Sequence, residues 1–324
     1  MSWAATGAQP SGEADRDKGC ADSRFLISAE FTGHAFLEFK KKAYLRPMPQ
    51  YTMLAVDLDG TALRNDKSLS PRTIDALVGA QRRGMRLIIA SGRPPQGIAH
   101  VARALLLHRL GGFVLAYNGG ELWQPLGEDV AQWRLIERHQ LAYEAIETAY
   151  RMGKAAGMEL LTYHEGRLLS EDIGNRYVGL SLRANRLKAQ PVDSFLEATR
   201  ALRLAKCMVV GDPQVLQSLE RPLAASLLHR ATVFRSEPYY MEIVPVGIDK
   251  GRGLARLLEE MGESPDRLIA CGDAPNDIPM LCFAGLGVAM GNAQPPVKAA
   301  ADSLCGTNEE DGVAQVAERF WPRE

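Results

Sequence analysis

Two carboxylates stand two residues apart at the end of a short apolar run: Met53-Leu54-Ala55-Val56 leads into Asp57-Leu58-Asp59-Gly60-Thr61. The run has the make-up of a buried strand. Acids crowded at one strand end repel each other, so a divalent cation and a lysine are their natural partners. Gly60 lets the chain turn sharply there. Other apolar runs also end in polar residues. Arg86 to Ala90 leads into Ser91-Gly92-Arg93, Phe113 to Ala116 into Asn118-Gly119-Gly120, and Leu268 to Cys271 into Gly272-Asp273-Ala274-Pro275-Asn276-Asp277. Ile248-Asp249-Lys250-Gly251 opens a helical pattern. Together these groups suit a phosphate site. Asp57 and Asp273 could share one hard cation, and Mg²⁺ fits a site with few carboxylates and several waters. No histidine or cysteine cluster accompanies them, which disfavours zinc. An aspartate can attack phosphorus, and a second acid can protonate the leaving oxygen and then activate water.

Taken singly, each piece has a plainer reading. Asp-Gly is a common turn dipeptide, Ser91-Gly92-Arg93 passes for an ordinary turn, and Lys250 for a solvated lysine at a helix start. The case for chemistry rests on topology. Strand and helix alternate at βαβ spacing, as in Ser70-Pro71, an N-cap and first helical residue, followed by Ile74, Leu77 and Val78 at helical spacing. Such alternation predicts a parallel sheet, whose strand ends share one edge where ligands bind.

From about residue 127 to 240 the pattern changes to short strands among helices: Leu160 to Tyr163, Cys207 to Val210 and Thr232 to Phe234. This segment reads as an inserted α+β domain. Tyr240 to Val244 reads as the return to the first domain, and Tyr163-His164-Glu165-Gly166 as a hairpin turn first and a specificity loop second. Residues 1–50 read as an N-terminal extension, disordered through Ser23, with folding expected to begin near Met48. Two catalytic-core segments, 51–126 and 241–324, then flank an insertion at 127–240.

The 324 residues suggest about two domains, and a hydrophobic fraction of 46% permits a sizeable core. A formal net charge of -1 argues against general nucleic-acid affinity. No uninterrupted apolar stretch reaches the length of a membrane span. The five scattered cysteines suit a reducing cytoplasm. Nothing in the sequence specifies an oligomeric state.

From about Thr52 onward the chain resembles haloacid-dehalogenase-superfamily phosphatases, specifically the Cof-type sugar-phosphatase group. The resemblance is carried, in order, by Asp57 to Thr61, Ser91 to Arg93, Asn118 to Gly120, Lys250, Gly272 to Asp277, Ala289 to Ala293 and Asp311 to Val313. It implies a Rossmann-like, doubly wound parallel sheet with an α/β cap. It implies that Asp57 is the nucleophile and a Mg²⁺ ligand, and that Asp59 is the general acid/base with its backbone carbonyl on the metal. Ser91, Gly92, Asn118, Lys250 and Asn276 would bind phosphate or substrate. Asp273 would bind Mg²⁺ with Asp277 in support. The implied substrate is a small phosphate ester, with no nucleic-acid or membrane partner. A phosphomutase of the same superfamily and a non-catalytic phospho-ligand sensor are the alternatives, the intact acids counting against the sensor.

Overall fold

The computed structural model describes residues 51–323; the expectations for residues 1–50 lie outside them. An eight-stranded sheet forms the base. Its members are β1 (Met53–Val56), β2 (Arg86–Ala90), β3 (Phe113–Ala116), β4 (Glu121–Pro125), β5 (Trp133–Arg138), β12 (Leu268–Gly272), β13 (Leu286–Ala289) and β14 (Ser303–Leu304). The spatial order is β14-β13-β12-β1-β2-β3-β4-β5. The first six are mutually parallel, as the βαβ spacing predicts. β4 and β5 add an antiparallel edge. Only Tyr117 to Gly120 separate β3 from β4, too few residues for a crossover, so the chain returns antiparallel.

β1 is buried at all four residues and paired on both sides, which is why it reads as a continuous apolar run. The first connecting helix, Pro71–Arg82, starts as its sequence predicts: the Ser70 side chain accepts from the Thr73 N–H, with Pro71 as the first helical residue.

A second, six-stranded sheet lies between residues 159 and 245. It contains β6 (Glu159–His164), β7 (Arg167–Ser170), β8 (Lys188–Pro191), β9 (Cys207–Val210), β10 (Ala231–Glu237) and β11 (Tyr240–Pro245), in the order β10-β11-β9-β6-β7-β8. Its strands alternate between two apolar clusters. Leu160, Cys207, Val209, Met241 and Ile243 face a satellite core with Ala145, Ile146, Ala149, Leu216 and Leu223 of the helices Tyr143–Ala155 and Pro213–Ser226. Leu161, Tyr163, Met208 and Val210 join the main core. The turn between β6 and β7 is the expected hairpin, with Glu165 and Gly166 both at positive φ.

Two strands change sides relative to the sequence-based division. Trp133–Arg138, expected in the insertion, pairs with β4 in the first sheet. Tyr240–Pro245, expected in the first domain, pairs with β9 and β10 in the second. A strand's apolar pattern tells how deeply it is buried but does not name its partner. The passages between the sheets therefore lie at about residues 139–141 and 246–249 rather than 127 and 240.

Candidate active site

The register of the parallel strands assembles the acids. Val56 pairs with Ile89 on one side and Cys271 on the other. Asp57, Ser91 and Asp273 follow those positions by one or two residues, so they leave the same sheet edge together. Asp57, Asp273 and Asp277 each place a carboxylate oxygen within 4.8 Å of the others. Lys250, the first residue of the helix Lys250–Met261, is fully buried among them. Its Nζ donates to Asp57 Oδ1 (2.5 Å) and Asp277 Oδ1 (2.6 Å). An ammonium has three donors, so one remains.

Both oxygens of Asp277 are engaged by protein donors. Oδ1 takes Lys250, and Oδ2 accepts from the backbone N–H groups of Asp273 (2.9 Å) and Ala274 (3.0 Å). It shapes the turn that presents Asp273. Pro275 opens that turn without costing a needed N–H. Asp273 Oδ1 accepts from Thr61 Oγ1 at 2.8 Å. Gly60 explains how the two loops meet: its φ is +80°, and a Cβ there would lie 2.4 Å from Asp273 Oδ2.

Charge in this cluster is unbalanced. Three carboxyls face one ammonium. Burial drives the Asp57 carboxyl up, opposed by Lys250 and reinforced by repulsion from Asp277 and Asp273. Asp273 is pushed up to about 6, by burial first; Thr61 opposes the shift, and Asp277 adds to it. Lys250 is held protonated: burial works against its charge, and the two aspartates outweigh it. An all-oxygen donor set with surplus negative charge fits a hard divalent cation such as Mg²⁺. Among the described residues, Asp57 and Asp273 each keep an oxygen free of protein donors, whereas both oxygens of Asp277 are engaged.

Asp59 stands apart from this cluster. The Arg93 guanidinium grips it with two bonds of 2.7 Å, and Lys67 Nζ adds a third at 2.8 Å. Burial pushes the Asp59 carboxyl up, but Arg93 and Lys67 prevail and hold it down at about 2. Arg93 also donates to the carbonyl of Ala184, on the helix Arg176–Asn185 of the inserted segment. Neither Arg93 nor Lys67 was assigned a role from sequence. Arg93 lay inside a quoted motif, and a lysine eight residues after an acid offers no distinctive spacing.

Ser91 is buried, and its Oγ accepts from the Arg93 N–H at 3.2 Å. Gly92 allows close approach: a Cβ there would lie 3.2 Å from Asn118 Nδ2. Asn118 adopts the left-handed conformation (φ 58°), which asparagine tolerates. Its Oδ1 accepts from Asn276 Nδ2 at 3.1 Å. All the residues expected from sequence therefore occupy one sheet edge, with the Asp59 side chain turned to Arg93 and Lys67.

Replacing Gly60 by Ala should test the fit of the two loops. The left-handed backbone costs a residue with a Cβ about 1–2 kcal/mol. Asp273 must also shift, so any divalent cation that Asp273 helps to hold should bind roughly 10–100-fold more weakly, as when an orienting contact is lost. Calorimetric Mg²⁺ titration and urea melts read the two effects. Wild-type Mg²⁺ affinity in this variant would count against Asp273 as a metal-holding residue.

A doubly wound sheet with an acid cluster and a buried lysine at its strand ends makes an α/β site suited to a cation and a phosphate. Comparison with known proteins gives the family. The sequence profile of the haloacid dehalogenase-like hydrolases matches residues 54–316. A haloacid dehalogenase-like hydrolase of known structure from Bacteroides thetaiotaomicron is 40% identical, with a TM-score of 0.78 over 83% of this chain and 99% of that one. A 5-amino-6-(5-phospho-D-ribitylamino)uracil phosphatase of Bacillus subtilis is 29% identical over 83% of this chain and 95% of its own length. A chloroplastic protein of Arabidopsis thaliana named as an endoribonuclease is 28% identical over 84% of this chain, which spans only 47% of that relative. The chain belongs to the haloacid dehalogenase-like hydrolases, of Cof type, and is a phosphatase-class enzyme. Among the described residues, no helix is long and apolar enough to cross a membrane.

Proposed function

We propose that this chain is a Mg²⁺-dependent hydrolase of small, sugar-phosphate-like monoesters, acting through an aspartyl-phosphate on Asp57. The observation that carries this reading is the surplus of carboxylate around Lys250 at the strand ends. Asp57 Oδ1 is held by Lys250, which leaves Oδ2 to attack phosphorus. The new O–P bond forms as the bond to the leaving oxygen breaks. Ser91 and the remaining Lys250 donor would hold the phosphoryl oxygens, with the Gly92 turn, Asn118 and Asn276 lining the substrate side. Asp57, Asp273 and the Asp59 backbone carbonyl would hold Mg²⁺, which supplies neutralisation of phosphoryl charge when bound.

Asp59 would protonate the leaving oxygen, then take a proton from the water that releases phosphate from Asp57. While Arg93 and Lys67 grip it, its carboxyl stays ionised. Acid duty requires that this grip loosen. The second sheet and its helices, from about 139 to 248, would form the cap that selects the ester. The Bacillus relative is named for a phosphorylated ribityl compound, which supports a small polyol phosphate as substrate. A cytoplasmic setting is part of the same reading.

Phosphate release across a panel of phosphorylated metabolites tests the proposal, with chelator-treated protein as control. Release should require Mg²⁺. Asp59→Asn should still bind Mg²⁺ and a beryllium fluoride mimic, yet lose turnover by roughly 10²–10⁴-fold, the usual span for a general acid/base. Full activity in chelator would end the metal assignment. Loss of Mg²⁺ binding in a folded Asp59→Asn protein would make its side chain a direct ligand.

A further inference from the structure

A buried ion pair of the second sheet reaches into the phosphate-binding turns. Lys206 immediately precedes β9, and Glu242 lies on β11 opposite Met208. Strand alternation puts Lys206, Met208 and Glu242 on the face toward the first sheet, while Cys207, Met241 and Ile243 point to the satellite core. The pair is almost sealed, with side chains 3% and 6% exposed and Nζ 3.1 Å from Glu242 Oε2. Nζ also donates at 2.9 Å to the Gly92 carbonyl, in the turn that follows β2 of the first sheet. Asn118 Nδ2 donates to the same Glu242 oxygen at 3.4 Å, and Asn276 Nδ2 to Asn118 Oδ1.

The rings of Tyr117 and Tyr163 lie against the same ammonium, with centroids 5.8 and 5.6 Å away. They are stacked on each other at 6.2 Å. Lys206 is anchored from behind as well, its carbonyl accepting from Thr162 Oγ1 at 2.6 Å.

Sealing a charge pair is costly, and apolar residues of similar volume commonly fill such a place at no loss of stability. A cap that merely covered the site would need no charges here. These charges end on the carbonyl between Ser91 and Arg93 and on the asparagine that receives Asn276. We propose that Lys206 and Glu242 are positioning residues for phosphoryl transfer, holding the Ser91–Gly92 turn and the Asn118–Asn276 contact in place from the second sheet. The proposal rests on the phosphoryl-transfer reading above.

The test compares Lys206→Arg, Lys206→Met, Glu242→Gln and the double variant Lys206→Met/Glu242→Gln. The double variant leaves no unpaired buried charge, so it remains informative where a single one fails to fold. Three readouts are needed: thermal melting, kcat and KM for phosphate release, and calorimetric binding of orthovanadate with Mg²⁺. In the folded double variant kcat should fall by about 10²-fold, the scale of a small misplacement near the chemistry. Orthovanadate affinity should fall with it. Lys206→Arg keeps donors for both the Gly92 carbonyl and Glu242 and should recover most of both. A folded double variant with wild-type kcat and wild-type orthovanadate affinity would overturn the proposal. If the wild type released phosphate from no ester, the phosphatase reading would fail by itself, and the orthovanadate series would still judge the pair.

Discussion

Asp57→Asn should abolish phosphate release, with kcat down on the order of 10⁴-fold or more, the scale seen when a covalent nucleophile is removed. The amide keeps the carboxylate's shape and one oxygen for Lys250, but its nitrogen and carbonyl do not attack phosphorus. The fold should not suffer. Asp57 is buried beside two other acids, and burial with their repulsion drives its carboxyl up. Removing one negative charge eases that crowding. Metal-free Asp57→Asn should therefore melt at or above the wild-type temperature while binding Mg²⁺ more weakly. Steady-state rates, thermal melts and calorimetry on one preparation separate the effects. Turnover near wild type would remove Asp57 as nucleophile. Unfolding would mean that the Asp57–Lys250 bond outweighs the repulsion.

The acids were legible because each follows a buried strand, and buried parallel strands write themselves as apolar runs. Asp57 and Asp273 needed only the inference that the strands run the same way. Gly60 was legible as a turn, but its second role, leaving room for Asp273, depends on a residue over two hundred positions away. Lys250 was less accessible. It heads a helix, where a cation meets the unfavourable end of the helix dipole, and its partner Asp57 is 193 residues distant. The sequence suggested it for neutralising phosphoryl charge, but not its burial against Asp57 and Asp277.

The Arg93 grip on Asp59 and the Lys206–Glu242 pair were not read at all. A signal for the second did exist. Glu242 interrupts an otherwise apolar strand, Met241-Glu242-Ile243-Val244, at a position that alternation turns toward the first sheet. Lys206 stands at the matching place before Cys207-Met208-Val209-Val210. A charge inside a buried strand calls for an opposite one nearby, and two such strands name each other as candidates. The same consideration would have moved Tyr240–Pro245 into the second sheet.

Lys250→Met carries the largest expected cost in stability. Lys250 is wholly buried, and its two bonds of 2.5 and 2.6 Å compensate Asp57 and Asp277. Methionine matches the length of the stem but brings no charge. Three carboxyls then share one pocket without a cation. Breaking a buried pair in this way costs about 3–5 kcal/mol. Urea melts of metal-free protein should show that loss as a lower midpoint with little change in slope. Mg²⁺ should restore part of it by neutralising Asp57 and Asp273, while Asp277, whose Oδ1 loses its Lys250 donor, keeps only the two backbone donors on Oδ2. Lys250→Met/Asp277→Asn should recover more, since it removes one of the two acids that lost their ammonium partner. Activity should not return in either variant, because the donor left for the phosphoryl group is gone. A metal-free Lys250→Met protein as stable as the wild type would mean that the cluster protonates at little cost. The charge imbalance would then no longer support a divalent cation at this sheet edge.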